Sequence, residues 1–112
     1  MNLLITGCCG HIGSYLVDNV HKIKNIKKTF IVDNLESNTS YSLFNSKKKN
    51  NLNFFIKDLK DPKSLNDFKK IDYVIHLASM TNAEKSFGKK NRMYENNIQS
   101  LKTVINFCKK KK

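Results

Sequence analysis

The sequence predicts an α/β domain built on a parallel sheet, and three observations carry that prediction. Short apolar runs recur four times along the 112 residues, at "NLLIT", "KTFIVDN", "LNFFIKD" and "DYVIHLAS". Segments with helical spacing or a helix-start signal separate them. No internal repeat, glycine-rich or proline-rich linker divides the chain, so residues 1–112 are expected to form one domain. Strands that alternate with helices are joined by crossovers, and crossovers leave neighbouring strands parallel.

Each element has its own reason. "NLLIT", residues 2–6, is an apolar run that stops at a glycine, as a buried strand does. From His11 the apolar positions Ile12, Leu16, Val17, Val20 and Ile23 follow helical spacing. Phe30 to Val32 form the second run, which ends in Asp33. "YSLF", residues 41–44, reads as a short helical turn, and the polar "NSKKKNN" leads to a third strand within residues 52–58. "DPKSLNDF" carries a helix start, with Asp61 as N-cap and Pro62 at the first helical position. Residues 72–79 supply the fourth strand. The last helix offers Met93, Ile98, Leu101, Val104, Ile105 and Cys108 as one apolar stripe. Lysines crowd its C-terminal end, where the helix dipole favours cations.

Composition narrows the function classes. The apolar fraction of 39% is below the roughly 45–50% of average domains, so the core must come from a few well-placed runs. No stretch approaches the about 18 consecutive apolar residues of a membrane span. "MNLLITG" lacks the charged and then apolar order of a secretory signal. Cys8, Cys9 and Cys108 are an odd set without C-x-x-C spacing, which supports neither a disulfide framework nor a zinc site. A reducing cytoplasm is the expected setting, with no metal and no membrane partner. The net charge of +12 raises a nucleic-acid reading. Its lysines, however, are scattered through "HKIKNIKK", "NSKKKNN", "GKKNR" and "CKKKK", and Arg92 is the only arginine. Base readers gather Arg, Asn and Gln on one element, with aromatics for single strands. A basic nucleic-acid-binding protein is therefore kept only as a second alternative.

Gly7, Gly10 and Gly13 are three of the four glycines in the chain. They follow a predicted strand and open a predicted helix, as a dinucleotide-binding turn requires. Gly7 would allow the tight turn, Gly10 would let the pyrophosphate approach the backbone, and Gly13 would let the helix pack closely on the sheet. The helix N-terminus adds free N–H groups and a positive partial charge. Asp33 ends the next strand 20 residues after Gly13. A carboxylate there accepts the ribose hydroxyls of NAD and repels the extra phosphate of NADP; the plainer alternative is a turn cap. With this turn after the first strand, right-handed crossovers predict a Rossmann-like, doubly wound sheet in the order 3-2-1-4. Cys8 and Cys9 invite two readings: thiols made reactive by the helix N-terminus, or small buried side chains filling the turn. His76, inside an apolar strand, reads as a hydrogen-bonded and partly buried residue rather than a catalytic base.

"TGCCGHIGSYLV" resembles the T-G-x-x-G-x-I-G turn of the extended short-chain dehydrogenase/reductases, the NAD-dependent epimerase/dehydratase group. The resemblance continues in order through "VDNLESNTS", "IKDLKDPKSL", "DYVIHLAS" and "YENNIQSLKTVINFC", and within the group it points to the nucleotide-sugar 4-epimerases and 4,6-dehydratases. It implies NAD as cofactor. It places Gly7, Gly10, His11, Ile12 and Gly13 at the pyrophosphate, Asp33 and Asn34 at the adenosine ribose, and Ser37, Asn38 and Thr39 on the adenosine phosphate side. Asp58 and Leu59 fall beside the adenine. Leu77, Ala78 and Ser79 line the ribose and nicotinamide side, and Asn97 stands on the following helix near that end. Cys8 and Cys9 replace residues that are usually Gly, Ser or Ala in the family, and His11 replaces an aromatic.

The family's chemistry uses a Tyr-x-x-x-Lys pair and a Ser or Thr at the end of strand 5. None of Tyr15, Tyr41, Tyr73 and Tyr94 has a lysine four positions on, so no catalytic residue is assigned. The expectation is the N-terminal cofactor-binding portion of such an enzyme, truncated before strand 5. It would act on a nucleotide sugar only with the C-terminal half supplied, and would self-associate through the exposed edge of strand 4. The alternative is a stand-alone NAD-binding or redox-sensing module without catalysis.

Overall fold

The computed structural model describes residues 1–35, 51–78 and 90–110, with side chains from residue 93 onward in the last segment. Four strands are present among them: β1 (Asn2–Thr6), β2 (Lys28–Asp33), β3 (Leu52–Ile56) and β4 (Tyr73–His76). They form one parallel sheet in the order β3-β2-β1-β4, as the sequence predicts. Helix α1 (His11–Asn19) runs into a 3₁₀ turn at Val20–Lys22, and helix α2 spans Lys90–Lys110.

β1 is central, with Leu4 in register with Phe30 of β2 and Val74 of β4. Successive side chains of a strand point to opposite faces. Leu3 and Ile5 therefore join Cys8, Cys9, Val17, Val20 and Ile31 in one core. Leu4 and Val32 join Leu59, Leu65, Phe68, Val104 and Phe107 in the other. One core lies under α1 and the second under α2, which is the double winding. A strand buried on both faces needs a continuous apolar run rather than an alternating one, and "NLLIT" is such a run.

Three expectations change. In α1, Gly13 and Val17 face the sheet, while Ile12 is 71% exposed. It precedes Gly13 by one residue and so is turned off the core by about 100°. "DPKSLNDF" forms overlapping turns instead of a helix. Asp61 does cap, since Lys63 N–H donates to its carboxylate at 2.9 Å. The bonds that follow, from Ser64 to Asp61, Asn66 to Lys63 and Phe68 to Leu65, all span three residues. Eight residues are too few to nucleate an α-helix without help. Three-residue spacing also places Leu65 and Phe68 on one side, and both are buried. In α2, the buried line is Thr103, Val104 and Phe107, while Leu101 and Ile105 are each 42% exposed and Cys108 is exposed. Val104 of the expected stripe is buried, and the rest of the buried line is rotated toward Thr103 and Phe107. The expected turn at residues 41–44 lies outside the described residues.

Candidate functional site

The site starts where β1 ends. Thr6 leads to Gly7, whose φ of +77° favours glycine and whose N–H donates to the Val32 carbonyl at 2.8 Å. A Cβ on Gly7 would lie 2.6 Å from the Ala78 nitrogen and 2.6 Å from the Leu77 carbonyl carbon. The turn is thus pressed against the exit of β4. A Cβ on Gly13 would lie 2.0 Å from the Gly7 oxygen, so α1 packs on the turn itself. Gly10 is different. Its φ of −75° suits any residue, and a Cβ there would meet nothing nearer than the Gly7 oxygen at 3.6 Å. Neither backbone geometry nor any described residue excludes a side chain at Gly10; among the described residues the space beside it is open.

That open space adjoins a bare helix end. The first bond of α1 runs from Ser14 N–H to the Gly10 carbonyl at 2.8 Å. The N–H groups of His11, Ile12 and Gly13 precede it and have no intrahelical acceptor. Among the described residues no side chain caps this end, and no acidic residue occupies its first turn, so it can receive an anion.

Asp33, at the end of β2, faces the same turn. Its two carboxylate oxygens accept from Cys9 N–H at 3.0 Å and Leu35 N–H at 2.8 Å. The turn-cap reading is therefore realised, yet the carboxylate keeps further lone pairs for a ligand. Leu35 holds a φ of +64° beside it, a region that a branched side chain seldom adopts. Asn34 is exposed between them.

The exit of β4 is fastened by a residue that the sequence did not single out. The buried Thr6 hydroxyl accepts from Leu77 N–H at 3.2 Å and Ala78 N–H at 3.3 Å, and lies 2.7 Å from His76 Nδ1. With both lone pairs engaged, its proton goes to Nδ1, which puts the imidazole hydrogen on Nε2. Burial lowers the His76 pKa and so favours this neutral ring. The hydrogen-bonded reading of His76 is the one observed.

The remaining expected residues separate. Asp58 is exposed, accepting from Lys60 N–H at 2.9 Å with the Lys60 ammonium 3.8 Å away. Lys57 N–H, one residue earlier, bonds the Asp33 carbonyl at 3.1 Å, which keeps Asp58 close to the end of β2. Leu59 places its side chain in the core under α2. Asn97 is half-buried on α2. Ser37, Asn38, Thr39 and Ser79 lie outside the described residues. Gly7, Gly10, Gly13, Asp33, Leu77 and Ala78 are gathered at the C-terminal ends of β1, β2 and β4, where open α/β sheets bind ligands.

Cys8 and Cys9 are 0% and 2% exposed. Burial, reinforced by Cys9, pushes the Cys8 thiol well above its ordinary range. Burial, reinforced by Asp33, pushes Cys9 up to about 11. Desolvation outweighs the helix N-terminus. The reactive reading gives way to neutral thiols that fill the turn.

The sequence profile of the NAD dependent epimerase/dehydratase family matches residues 3–112. The chain belongs to this family. Among family relatives, it is 34% identical over 112 residues to dTDP-D-glucose 4,6-dehydratase of Dictyostelium discoideum, covering 96% of this chain and 26% of that protein. It is 34% identical over 109 residues to a putative UDP-glucose 4-epimerase of Methanocaldococcus jannaschii, covering 91% of this chain and 31% of the other. Of solved structures, UDP-N-acetylglucosamine 4-epimerase from Methanobrevibacter ruminantium superimposes with a TM-score of 0.75 at 37% identity, over 98% of this chain and 34% of that one. The NAD-bound dTDP-glucose 4,6-dehydratase DesIV from Streptomyces venezuelae has a TM-score of 0.83 at 23% identity, over 95% of this chain and 35% of that one, and attests the shared fold. The chain spans about a quarter to a third of these family members, in their N-terminal NAD-binding region. Among the described residues, no helix is long and apolar enough to cross a membrane.

Proposed function

We propose that the chain is the NAD-binding portion of a nucleotide-sugar epimerase or dehydratase and works in the cytoplasm. One observation carries the proposal. The space at Gly10, which the described residues leave open, adjoins the N-terminus of α1, which none of them caps with a side chain, while Asp33 is held beside the same turn. Gly7 and Gly13 fix the turn's shape. The N–H groups of His11, Ile12 and Gly13 meet the pyrophosphate. Asp33 holds the adenosine ribose hydroxyls and disfavours NADP, because a phosphate against a partly buried carboxylate is repulsive. Asn34, with Ser37, Asn38 and Thr39, serves the adenosine end; Asp58 flanks the adenine and Leu59 supports it from the core. Leu77, Ala78 and Ser79 line the nicotinamide ribose, with Asn97 near that end. Bound there, NAD would supply a hydride acceptor for oxidation of the sugar.

This chain's own residues bind and orient the cofactor. They include no Tyr-x-x-x-Lys pair, so positioned proton transfer falls to residues beyond this sequence. The purified chain is expected to bind NAD without turnover. It is also expected to self-associate through β4: among the described strands β4 pairs only with β1, Tyr73 is 56% exposed, and Tyr73–His76 holds neither proline nor lysine to block an edge.

Isothermal titration of the 112-residue chain with NAD and NADP tests the assignment. NAD should bind more tightly, and Asp33→Ala should weaken NAD more than NADP. Gly10→Val should abolish binding while keeping the helical circular dichroism. Preference for NADP, or normal NAD binding by Gly10→Val, would overturn the proposal.

A further inference from the structure

We propose that Cys8, Cys9 and Asp33 form a binding site for a thiophilic divalent cation of the zinc and cadmium class, set beneath the glycine turn. The two sulfurs are 3.9 Å apart. One donor atom from each of the three residues lies within 4.8 Å of the others. Two thiolates on an ion with bonds of about 2.3 Å, at a tetrahedral angle, sit about 3.8 Å from each other. The two sulfurs are thus already at ligating separation. The carboxylate is restrained as well, by the N–H groups of Cys9 and Leu35. Such outer bonds orient a ligating carboxylate and tune its affinity. Three protein ligands leave a fourth position for water, the arrangement of an open zinc site.

The spacing of the cysteines hides this site in the sequence. Adjacent cysteines do not match a zinc motif, and the third donor is 24 residues beyond Cys9. Only the pairing of β1 with β2 brings it in. A thiol of ordinary pKa, about 8.5, is protonated at neutral pH when no ion is bound. Binding therefore exchanges protons for metal: each S–H bond breaks, two S–metal bonds form, and two protons leave to solvent. A coordinated thiol is deprotonated outright. Asp33 adds its existing negative charge, so no oxidant or reductant is involved. Where Asp33 also holds the ribose of NAD, which rests on the function proposed above, ion and cofactor weaken each other's binding.

The test uses the full chain carrying Cys108→Ser, because Cys108 is the exposed thiol. Cadmium is titrated without NAD, following the thiolate-to-cadmium absorption band and the protons released in weakly buffered solution. The expected result is saturation at one equivalent with two protons released. Cys8→Ser and Cys9→Ser should each weaken binding at least about tenfold, as even losses outside the coordinating shell can do. Each should also halve the proton release. Asp33→Asn should weaken binding while keeping the two-thiolate band at saturation. Cys8→Ala, which adds no polar group to the core, provides the same comparison if Cys8→Ser unfolds. No saturable band, or a band unchanged in both Cys8 variants, would overturn the site. A second titration at saturating NAD should raise the cadmium midpoint; an unmoved midpoint in a chain that binds NAD would overturn the shared carboxylate. A chain that does not bind NAD would refute the cofactor reading alone, and the first titration would still decide the metal site.

Discussion

β1 with its glycine turn and α1, and β4 with α2, are built from similar material and finish differently. Four of the five residues of β1 are buried, and the turn beyond it admits no Cβ at Gly7 or Gly13. β4 is just as apolar in sequence, yet Tyr73 is exposed and the rest of the strand is only half-buried. α2 covers the sheet through Thr103, Val104 and Phe107 while Leu101 and Ile105 face outward. The difference is place in the sheet. Among the described strands, β1 has neighbours on both sides and β4 ends the order. An apolar run predicts a strand, whereas the number of its neighbours decides how far it is buried. The turn after β1 is fixed by backbone contacts with β2, β4 and α1, and the β4–α2 region leaves apolar surface to be covered.

The comparison breaks most easily at Gly13. Gly13→Ala would force a Cβ to 2.0 Å from the Gly7 oxygen. The clash is with backbone, so relief requires α1 to move; a loss of roughly 3 kcal/mol is expected, at the top of the usual overpacking range. Gly10→Ala in the same turn should cost under about 1 kcal/mol, the N-cap preference alone, while NAD binding weakens. Urea unfolding of both variants checks this. Equal losses would show that the open space at Gly10 is not real.

Phe107→Ala comes next. Phe107 is 5% exposed in the core under α2, and its truncation should cost about 3 kcal/mol. Ile105→Ala, two residues away and 42% exposed, should cost under about 1 kcal/mol because far less apolar area returns to water. Replacing Ile105 by Lys should also reduce any concentration-dependent sedimentation of the chain. If Ile105→Ala were the costlier of the two, α2 would sit on the sheet by the stripe first expected from its sequence.

These two contrasts show where the sequence is readable. The turn and Asp33 are legible because the glycines and one carboxylate encode a loop within a single βαβ unit. Sheet order follows from that unit and from crossover handedness. The setting of α2 is legible only in part: Val104 of the expected stripe is buried, while Leu101 and Ile105 face outward and Phe107, outside that stripe, is buried. Asp61 and Pro62 mark where a helical turn starts and say nothing of how far it runs. The cysteine chemistry escapes because burial, which is tertiary, opposes the helix terminus, which is local. The Thr6–His76 bond joins residues 70 apart, and no spacing rule links them.

That bond also ties the two regions together, so Thr6→Val sharpens the comparison. The change is close to isosteric and leaves the Ala78 N–H and His76 Nδ1 without their shared hydroxyl, while Leu77 N–H keeps its bond to the Thr6 carbonyl at 3.0 Å. A loss of about 1–3 kcal/mol is expected for buried groups left unsatisfied. Hydrogen exchange should report it at the Ala78 amide first, with Leu77 less affected because it keeps its backbone acceptor. Unchanged protection there would mean that packing against Gly7 alone holds the exit of β4.

His76 gives the smallest effect and the most specific one. Its pKa in the folded chain is lowered from 6.5 by burial. As pH falls, the unfolded chain therefore takes up this proton before the folded one does. Stability should be level above the unfolded value, begin to fall as pH drops through 6.5, and stop falling once the folded chain is protonated too. The hydrogen bonds point the same way. A protonated Nδ1 can no longer accept from Thr6, and the Thr6 oxygen already accepts from two amides. His76→Asn keeps a side-chain acceptor and removes the titration. His11 and His21, exposed in the parent chain, are common to both proteins, so a difference between the two profiles isolates His76. Urea midpoints measured from neutral pH down to about pH 5, within the range where histidine titrates, should fall more steeply for the parent chain than for His76→Asn. Parallel profiles would show that the imidazole is not held neutral between β1 and β4.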